Sequence, residues 1–389
     1  MQQPAPVYTD PRTVYLHIPF CTNKCYYCDF NSYVLKGQPV RDYLDALERE
    51  MEATVKRTPP AAIETFFVGG GTPTVLLPDQ MEHFLRLVRT YFPDRADDCE
   101  FTMEANPGTT DPEKLAAMFE GGVNRISFGV QTFDQGLLER IGRIHNVDDV
   151  YRSLENARAA GFRNLSIDLM FGLPGQTIGQ MEDSLDKALR LDLQHYSIYA
   201  LKIEENTLFH TLYERNQLPL PEEEDELGMY LLTMEKLKAN GYAQYEISNF
   251  AKPGRESRHN LAYWQNRSYY GLGAGAHGYI GGRRHVNIKG ITPFIEATRQ
   301  GLPRLEENPV PREEAMEDFM MVSLRVLEGV SDADFRAQFG VSLTEVFGSL
   351  LDRLAGEGLL EADGYRWKLT ERGLLFGNEV FAEFIGTLS

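Results

Sequence analysis

Short apolar runs rich in β-branched and aromatic residues recur along the first half of the chain, separated by longer stretches with helical spacing. The runs predict strands at residues 13–18, 64–68, 100–104, 125–130, 165–171 and 195–201. The intervening stretches, which often begin at Asp or Thr, predict helices at residues 42–55, 79–91, 111–119, 147–160 and 177–191. Alternation of strand and helix is typical of a parallel sheet.

Six strands of this kind exceed a flavodoxin-like sheet and fall short of a closed barrel of eight. We therefore predict an α/β fold, an open, partial (β/α)6 barrel of the TIM type. In such folds the chemistry lies at the carboxyl ends of the strands. Unusual residues stand at these places: Cys21 follows the first strand, Gly69-Gly70-Gly71-Thr72-Pro73 follows the second, and Glu104-Ala105-Asn106-Pro107 ends the third.

The second half of the chain has a different pattern. Residues 221–242 predict an acidic-headed helix, and the Gly- and aromatic-rich residues 243–287 predict short strands that close the open side of the barrel. Residues 303–311 are predicted to be a linker. We expect a barrel domain at residues 1–220, a barrel-closing extension at 221–302 and a C-terminal domain at 303–389.

The C-terminal domain is predicted to be winged-helix-like. Three helices are expected at residues 312–327, 332–339 and 343–355, followed by a hairpin that turns at Asp363-Gly364. The third helix carries one basic residue, Arg353, against Glu345 and Asp352. This charge balance favours a structural or partner-docking domain over DNA binding.

Composition narrows the function classes further. The chain has 39 basic and 57 acidic residues, a net charge of −18, which argues against nucleic acid as the main partner. No apolar run approaches the roughly 20 residues of a membrane span. Residues 1–13 contain no recognisable leader peptide, so we expect a cytoplasmic protein.

Three of the four cysteines lie close together, as Cys21-x3-Cys25-x2-Cys28, and four are too few for a disulfide scaffold. Iron–sulfur cubanes are normally held by four cysteine thiolates, and this loop supplies three. The pattern predicts a [4Fe-4S] cluster with one iron open to the amino and carboxylate groups of S-adenosylmethionine. The alternative is a zinc site with His17 as fourth ligand, but zinc knuckles use paired C-x2-C spacings. Cys99 is expected to be a buried core thiol.

At these residues the chain resembles the radical S-adenosylmethionine superfamily, and within it the anaerobic coproporphyrinogen III oxidase-like family. The resemblance rests on motifs spread over nearly the whole chain. They are YLHIPFC at 15–21 running into CDF at 28–30, GGGTPT at 69–74, EANPG at 104–108, SFGVQTF at 127–133, GRIH at 142–145, DLMFGLPGQT at 168–177 and HNLAYW at 259–264.

The resemblance implies roles for single residues. Tyr15 and Gly71-Thr72 would line the methionine end of S-adenosylmethionine, Glu104 and Arg143 would bind its charged groups, and Gln131 and Asp168 would bind the ribose. Tyr26, Tyr27 and Phe30 would shield the cluster. The residues predicted to bind a cofactor are Tyr15, Tyr27, Gly70, Gly71, Thr72, Glu104, Gln131, Arg143, Asp168, Ala200 and His259, and the metal ligands are Cys21, Cys25 and Cys28.

A second motif, Gly273-x-Gly275-x-x-Gly278, matches the dinucleotide-binding fingerprint. That fingerprint requires a preceding strand and a following helix. We expect neither here, because no alternating strand precedes it and residues 279–284 are Gly-rich. A tight, aromatic-lined turn is the preferred interpretation.

The family has two branches with different functions, and the sequence must distinguish between them. The oxidases typically have a further cysteine two places after the third, where this chain has Asp29-Phe30, and a longer segment before the cluster, where this chain has 20 residues. The heme-chaperone branch carries His-Asn-x-x-Tyr-Trp, present at 259–264, so His259 is predicted to be heme-associated, with His277 and His285 as weaker candidates.

We therefore predict a heme chaperone that transfers heme to an unidentified acceptor protein, without coproporphyrinogen III oxidase activity. The partners expected are heme and that acceptor, with no nucleic acid and at most a transient contact with a membrane protein. The alternative is a radical oxidoreductase that acts on a porphyrinogen or another substrate.

Overall fold

Strands and helices alternate through the first 200 residues of the computed structural model, which describes residues 5–388. The strands are β1 (Thr13–Ile18), β2 (Phe20–Cys21), β3 (Tyr33–Val34), β4 (Ile63–Gly70), β5 (Arg95–Ala105), β6 (Arg125–Gln131), β7 (Asn164–Phe171) and β8 (His195–Ala200). The helices are α1 (Val40–Arg57), α2 (Pro78–Tyr91), α3 (Pro112–Glu120), α4 (Gln135–Arg140), α5 (Val147–Ala159) and α6 (Ile178–Leu189), with a 3-10 turn at Pro73–Val75. Residues 1–4, the start of the segment in which the sequence predicts no leader, lie outside the described range.

Strands β1, β4, β5, β6, β7 and β8 are neighbours in that order, and every adjacent pair runs parallel. The predicted open, partial barrel is therefore confirmed. Helices α1, α2, α3, α5 and α6 pack their apolar sides on this sheet in one continuous core, and α4 packs in a smaller cluster. Polar caps fix where helices begin: Asp111 accepts a backbone hydrogen bond from Lys114 at 2.8 Å, and Thr177 accepts one from Gln180 at 3.2 Å.

The next hundred residues extend the sheet at both edges. They form α7 (Leu208–Glu214), α8 (Glu223–Ala239), β9 (Ala243–Glu246), β10 (Asn249–Ala251), α9 (Arg258–Trp264), β11 (Tyr270–Leu272), β12 (His277–Ile280), β13 (Arg283–Asn287), α10 (Ile291–Ala297) and β14 (Arg304–Pro309). Strand β11 pairs parallel with β1, while β10 pairs antiparallel with β8 and carries β9 outside it. The Gly273 to Gly278 segment does follow a strand, β11, but leads into strand β12 and not into the helix that a dinucleotide site needs.

The predicted linker at 303–311 is wrong, because Arg304–Pro309 forms β14, the edge strand of a β12-β13-β14 sheet. Its sequence is polar and bounded by prolines, which are tolerated at an edge. Glu307 receives hydrogen bonds from Arg57 at 2.8 Å and from Arg283 at 3.0 Å, and these tie the strand to its surroundings. Solvent-facing strands of this kind lack the alternation that predicts a strand from sequence.

The C-terminal residues pack around a second core. They form α11 (Arg312–Ser323), β15 (Val330–Ser331), α12 (Asp332–Phe339), α13 (Leu343–Gly356), β16 (Leu360–Asp363), β17 (Arg366–Leu369), α14 (Glu371–Leu375) and α15 (Gly377–Ala382). The sheet order β15-β17-β16, with a hairpin turning at Gly364, is that of a winged helix. Arg325 lies over the Trp264 ring at 4.6 Å and so joins this core to α9. Across residues 5–388, the helices include none with the length and apolar character of a membrane span.

Candidate metal and cofactor site

The three clustered cysteines lie in the loop that follows β1. Cys21 ends β2, and Cys25 and Cys28 come before β3. All three thiols are free, half-buried and on the wall of one cavity of about 370 Å³. A hydrogen bond within the loop stabilises its conformation, because the Lys24 ammonium donates to the Phe30 carbonyl at 2.7 Å. The loop therefore presents three soft ligands to one space at the carboxyl end of the sheet.

Two side chains from outside the loop contact the thiols. Thr72 Oγ1 donates to Cys21 Sγ over 3.6 Å, and Arg143 Nη1 donates to Cys25 Sγ over 3.5 Å. Burial raises the pKa of the Cys21 and Cys28 thiols, and the Thr72 hydrogen bond opposes that rise at Cys21. Donors of this kind stabilise the thiolate form that a metal requires.

The cavity is suited to a group larger than one ion. Among the described residues, no set of three or more His, Cys, Asp and Glu side chains converges closely enough to hold a single metal ion. The three cysteines line one cavity, together with the glycine turn and the strand ends. Three thiols on one cavity fit a cubane that is held at three corners.

The same cavity is also lined by the carboxyl ends of strands β4 to β8 and by Arg143, in the turn that follows α4. Nearly all the residues predicted to bind a cofactor line it, namely Tyr27, Gly70, Gly71, Thr72, Glu104, Gln131, Arg143, Asp168 and Ala200. Tyr15 and His259 do not line this cavity. The fold therefore brings seven separate segments of sequence to one site.

The glycine turn after β4 leaves no room for side chains. A Cβ atom at Gly71 would lie 2.5 Å from the Phe20 carbonyl oxygen, and Gly70 has a φ of 106°. Both positions thus require glycine, and the backbone there can approach a ligand closely. The glycines of the sequence motif therefore stand where the backbone conformation requires them.

Gln131 is held in an unusual conformation at the end of β6. Its φ is 70°, which is uncommon for a residue with a side chain. The residue is buried, and its Oε1 atom has no hydrogen-bond partner among the described residues. Arg143 Nε is likewise buried without a partner, while its Nη2 donates to Asn106 Oδ1 at 2.7 Å. Buried polar atoms without a partner at a cavity wall are suited to binding a ligand.

Two buried carboxyl groups face this cavity. Burial, and after it the neighbouring Asp168, raises the pKa of Glu104 to about 8, against a hydrogen bond from the Gly70 amide. Burial also raises the pKa of Asp168, opposed by hydrogen bonds from Ser127 and Ser197. A cationic ligand would lower both pKa values, so the site is suited to a ligand that carries positive charge.

A second cavity, of about 540 Å³, adjoins the first and shares Phe30, Gly70 and Glu104 with it. Tyr15 lines this second cavity, as do residues of the extension. Those residues include Tyr263, Tyr269, His277 and Lys289. Two ligands could therefore lie side by side at the mouth of the barrel.

His259 is not open to a ligand in this structure. The side chain is fully buried, with Nδ1 3.0 Å from Thr65 Oγ1 and Nε2 2.9 Å from Tyr263 Oη. Burial, and then Arg125, lowers the pKa of His259 to about 3, so the imidazole is neutral. Both ring nitrogens are used in hydrogen bonds, and axial ligation of iron would have to break one of them. His285 is buried as well, but His277 is exposed.

Sequence reasoning missed several residues of the first cavity. Asn106 donates to Thr72 Oγ1 at 2.7 Å and accepts from Arg143, so it connects two walls. Tyr199 lines the cavity one position before Ala200. The position of Asn106 two residues after Glu104, at a strand end, could have identified it; nothing in the sequence identifies Tyr199.

Comparison with known proteins agrees with this site. The fold and the three-cysteine cavity define the radical S-adenosylmethionine class, and a profile of the Radical SAM superfamily matches residues 15–188. A profile of the HemN C-terminal domain matches residues 310–376. Superfamily membership implies a [4Fe-4S] cluster and S-adenosylmethionine, which the donor set and the cavity fit.

The relatives narrow the class. The chain is 47% identical to the heme chaperone HemW of Bacillus subtilis (strain 168), over 97% of this chain and 100% of that protein. It is 37% identical to the heme chaperone HemW of Escherichia coli (strain K12), over 96% and 98%. Coproporphyrinogen III oxidase (HemN) from Escherichia coli, described as a radical SAM enzyme, has a similar structure, with a TM-score of 0.85 and 25% identity over 97% of this chain and 91% of that chain. This chain belongs to the heme chaperone HemW family.

Proposed function

We propose that this protein is a heme chaperone, which binds heme and passes it to an acceptor protein. The observation that carries the proposal is the second cavity, of about 540 Å³, which lies beside the cysteine cavity and is walled by aromatic residues. Its size falls within the range of cavities that hold cofactor-sized ligands. The HemW relatives, which match over nearly their whole length, support the same function.

In this proposal Cys21, Cys25 and Cys28 hold a [4Fe-4S] cluster, and S-adenosylmethionine lies in the same cavity. When bound, the cluster supplies an open iron and an electron for S-adenosylmethionine. The chain itself supplies three thiolates, the Gly71 backbone that approaches the ligand, and the charge of Arg143. Their common location around one cavity supports these roles.

Further contacts to S-adenosylmethionine are assigned by position. Glu104 would face the ligand's positive charge, because it is the buried carboxyl group nearest the glycine turn, 3.3 Å from the Gly70 amide. Gln131 Oε1 and Asp168 would accept hydrogen bonds from the ribose. Tyr15 would contact the cofactor only from the adjoining cavity, since it lines that cavity and not the first.

The alternative function is a radical oxidoreductase of the coproporphyrinogen III oxidase type. Structural similarity to the Escherichia coli oxidase and a complete cofactor cavity favour it. Against it, Asp29-Phe30 stands where the oxidase branch has a further cysteine, and 61% of the Phe30 side chain is exposed at the cavity mouth. We therefore rank it second.

The acceptor would be another protein, met in the cytoplasm or at the cytoplasmic side of a membrane. Helix α13, which in a DNA-binding winged helix reads the groove, has Arg353 near its end, and that side chain is paired with Glu357 and Glu383. A docking role for the C-terminal domain fits this charge distribution better than nucleic-acid binding does.

In the deciding experiment, anaerobically reconstituted protein is mixed with heme in one reaction and with coproporphyrinogen III in another. Each reaction is run with and without S-adenosylmethionine. A chaperone develops a heme Soret band and leaves the porphyrinogen unchanged. Formation of the divinyl product would overturn the proposal in favour of the oxidoreductase. Absence of heme binding in the wild-type protein would overturn it outright.

A further inference from the structure

We propose that His277 is the axial ligand of heme, and that the heme lies in the cavity next to the S-adenosylmethionine cavity. This inference rests on the proposed heme-binding function and adds the residue and the place. The tryptophan-containing HNLAYW segment would then be structural, with α9 forming the inner wall of the heme cavity.

The first step is to compare the histidines that line this cavity, which are His17 and His277. His17 is buried, with Nδ1 2.8 Å from Tyr15 Oη and Nε2 2.8 Å from the Asn31 carbonyl, so both nitrogens are used. His277 is exposed, and no hydrogen bond to its ring is present within residues 5–388. It is the histidine of this cavity with a nitrogen available to iron.

The charge state of His277 suits ligation as well. Partial burial, together with the nearby Lys289, lowers the pKa of its imidazole. The ring is therefore neutral near pH 7 and offers a lone pair, which is the form that binds heme iron.

The backbone at His277 is rigidly held. Strand β12 pairs with β13, with His277 opposite Val286. The turn before it is fixed from the barrel side, because the Gly273 amide donates to Glu50 Oε2 at 2.7 Å. A ligand on a strand fixed in this way keeps its direction when the iron is absent.

The residues around His277 are suited both to the apolar macrocycle of heme and to its charged propionates. Phe30, which is largely exposed between the two cavities, and the Tyr263 and Tyr269 rings offer flat apolar surface to a macrocycle. Lys289 is exposed beside them and offers positive charge to a propionate. In a chain of net charge −18, a cation at the cavity mouth is a specific attraction for an anionic ligand.

The location has a consequence for the cofactors. Phe30, Gly70 and Glu104 line both cavities, so bound heme and bound S-adenosylmethionine would share a wall. Occupation of one cavity is then expected to alter the spectrum of the ligand in the other.

The test is a heme titration of the anaerobically reconstituted protein, read by the Soret band and by the EPR signal of ferric heme. His277→Ala is compared with the wild type and with His83→Ala, a matched control on the outer face of α2, where the imidazole contacts Arg86. We expect His277→Ala to weaken heme binding by about tenfold or more and to lose the histidine-ligated signal. Added imidazole should restore that signal, while His83→Ala behaves as the wild type.

Iron and sulfide contents, measured in parallel, show that each variant holds its cluster. A His277→Ala protein with the wild-type heme spectrum and affinity would overturn the inference. His259→Gln, which can keep a hydrogen bond to Thr65, separates the two failures. If only the His259→Gln variant lost the histidine-ligated signal, the proposed heme-binding function would stand and His277 would be the wrong ligand. If the wild-type protein bound no heme, both the proposed function and the assignment of His277 would be overturned.

Discussion

Arg143 donates a hydrogen bond to the sulfur of Cys25 across the cavity, over 3.5 Å. The two residues are 118 positions apart in sequence, and the contact ties the loop after β1 to the turn that follows α4. The guanidinium also donates to Asn106 and to the Gly129 carbonyl, which leaves its buried Nε for a ligand. Arg143 thus serves both the thiolate and the proposed cofactor.

The first prediction concerns the cluster ligands. Anaerobic reconstitution is expected to yield about four irons and four sulfides per chain, and Cys21→Ser, Cys25→Ser or Cys28→Ser should each abolish this. The matched control is Cys99→Ser, because Cys99 lies on β5, half-buried against the core and outside the cavity. Iron and sulfide assays check it, and zinc without iron would contradict it.

The second prediction concerns Arg143. Arg143→Ala should weaken S-adenosylmethionine binding by roughly 1.5–3 kcal/mol, the usual contribution of a hydrogen bond to a charged group. The measurement is the change that the ligand causes in the EPR spectrum of the reduced cluster, titrated at equal iron content. Arg152→Ala is the control, since that arginine pairs with Asp149 at the surface. Equal affinity in the Arg143 and Arg152 variants would remove Arg143 from the site.

The third prediction is a pH dependence that comes from Glu104. With its pKa raised to about 8 by burial, Glu104 is largely protonated at pH 7 in the ligand-free protein. A positively charged ligand favours the carboxylate, so binding of S-adenosylmethionine should release a proton. Its affinity should therefore rise with pH by up to about tenfold per unit below pH 8 and level off above it.

The stability of the ligand-free protein depends on pH in the opposite direction: it falls as the pH rises. The folded-state pKa of Glu104 lies above its ordinary value, so its contribution to the free energy of unfolding is complete below about pH 4.5 and is lost as the pH rises towards 8. Calorimetric titrations in two buffers of different ionisation enthalpy measure the proton release. Glu104→Gln should show no such release, and a persistent release in that variant would assign the proton to another group.

The fourth prediction concerns a buried anchor behind the His277 strand. Glu50 is fully buried and accepts hydrogen bonds from the Gly273 amide at 2.7 Å and from Asn287 Nδ2 at 2.6 Å, beside Arg304 at 3.4 Å. Glu50→Ala leaves Arg304 without its carboxylate and should reduce the free energy of unfolding by about 3–5 kcal/mol.

The comparison for Glu50 is available on the same helix. Glu52 pairs with Lys56 at the surface, and Glu52→Ala should cost about 0.5 kcal/mol or less. Glu50→Gln, which keeps an acceptor for Gly273, should fall between the two. Urea unfolding followed by circular dichroism provides the measurement, and similar values for Glu50→Ala and Glu52→Ala would refute the anchor role.

The parts of the fold that depend on local pattern were predictable from sequence. Strands β1 and β4 to β8 are largely buried apolar runs, and their helices each bury one apolar face. Helices α3, α5 and α6 also begin at a polar cap, whereas α1 and α2 begin after Pro39 and Leu77. Because the strands are parallel and adjacent, their carboxyl ends lie at the same edge of the sheet. The sequence alone therefore predicts that Gly71, Glu104 and Gln131 lie close together. The motifs therefore predict that these residues share one end of the sheet, and in the structure they line one cavity.

The parts that depend on long-range pairing were not predictable. The polar residues 303–311 predict a linker, and only pairing with β13 makes Arg304–Pro309 the strand β14. His259 has the chemistry of a heme ligand, yet its hydrogen bond to Thr65 forms only when α9 packs against β4, while its bond to Tyr263 is made within α9. The sequence alone therefore does not reveal that both of its nitrogens are engaged.

Strand β1 acquires its two neighbours at very different times during synthesis. It pairs with β4 on one side, while on the other side Val14 pairs with Tyr270 of β11. The chain leaves the ribosome from its N-terminus, so β1, which leads into the cysteine loop, remains an open sheet edge until β11 has emerged. Strand β11, which is made more than 200 residues later, then closes the edge beside the cysteine loop.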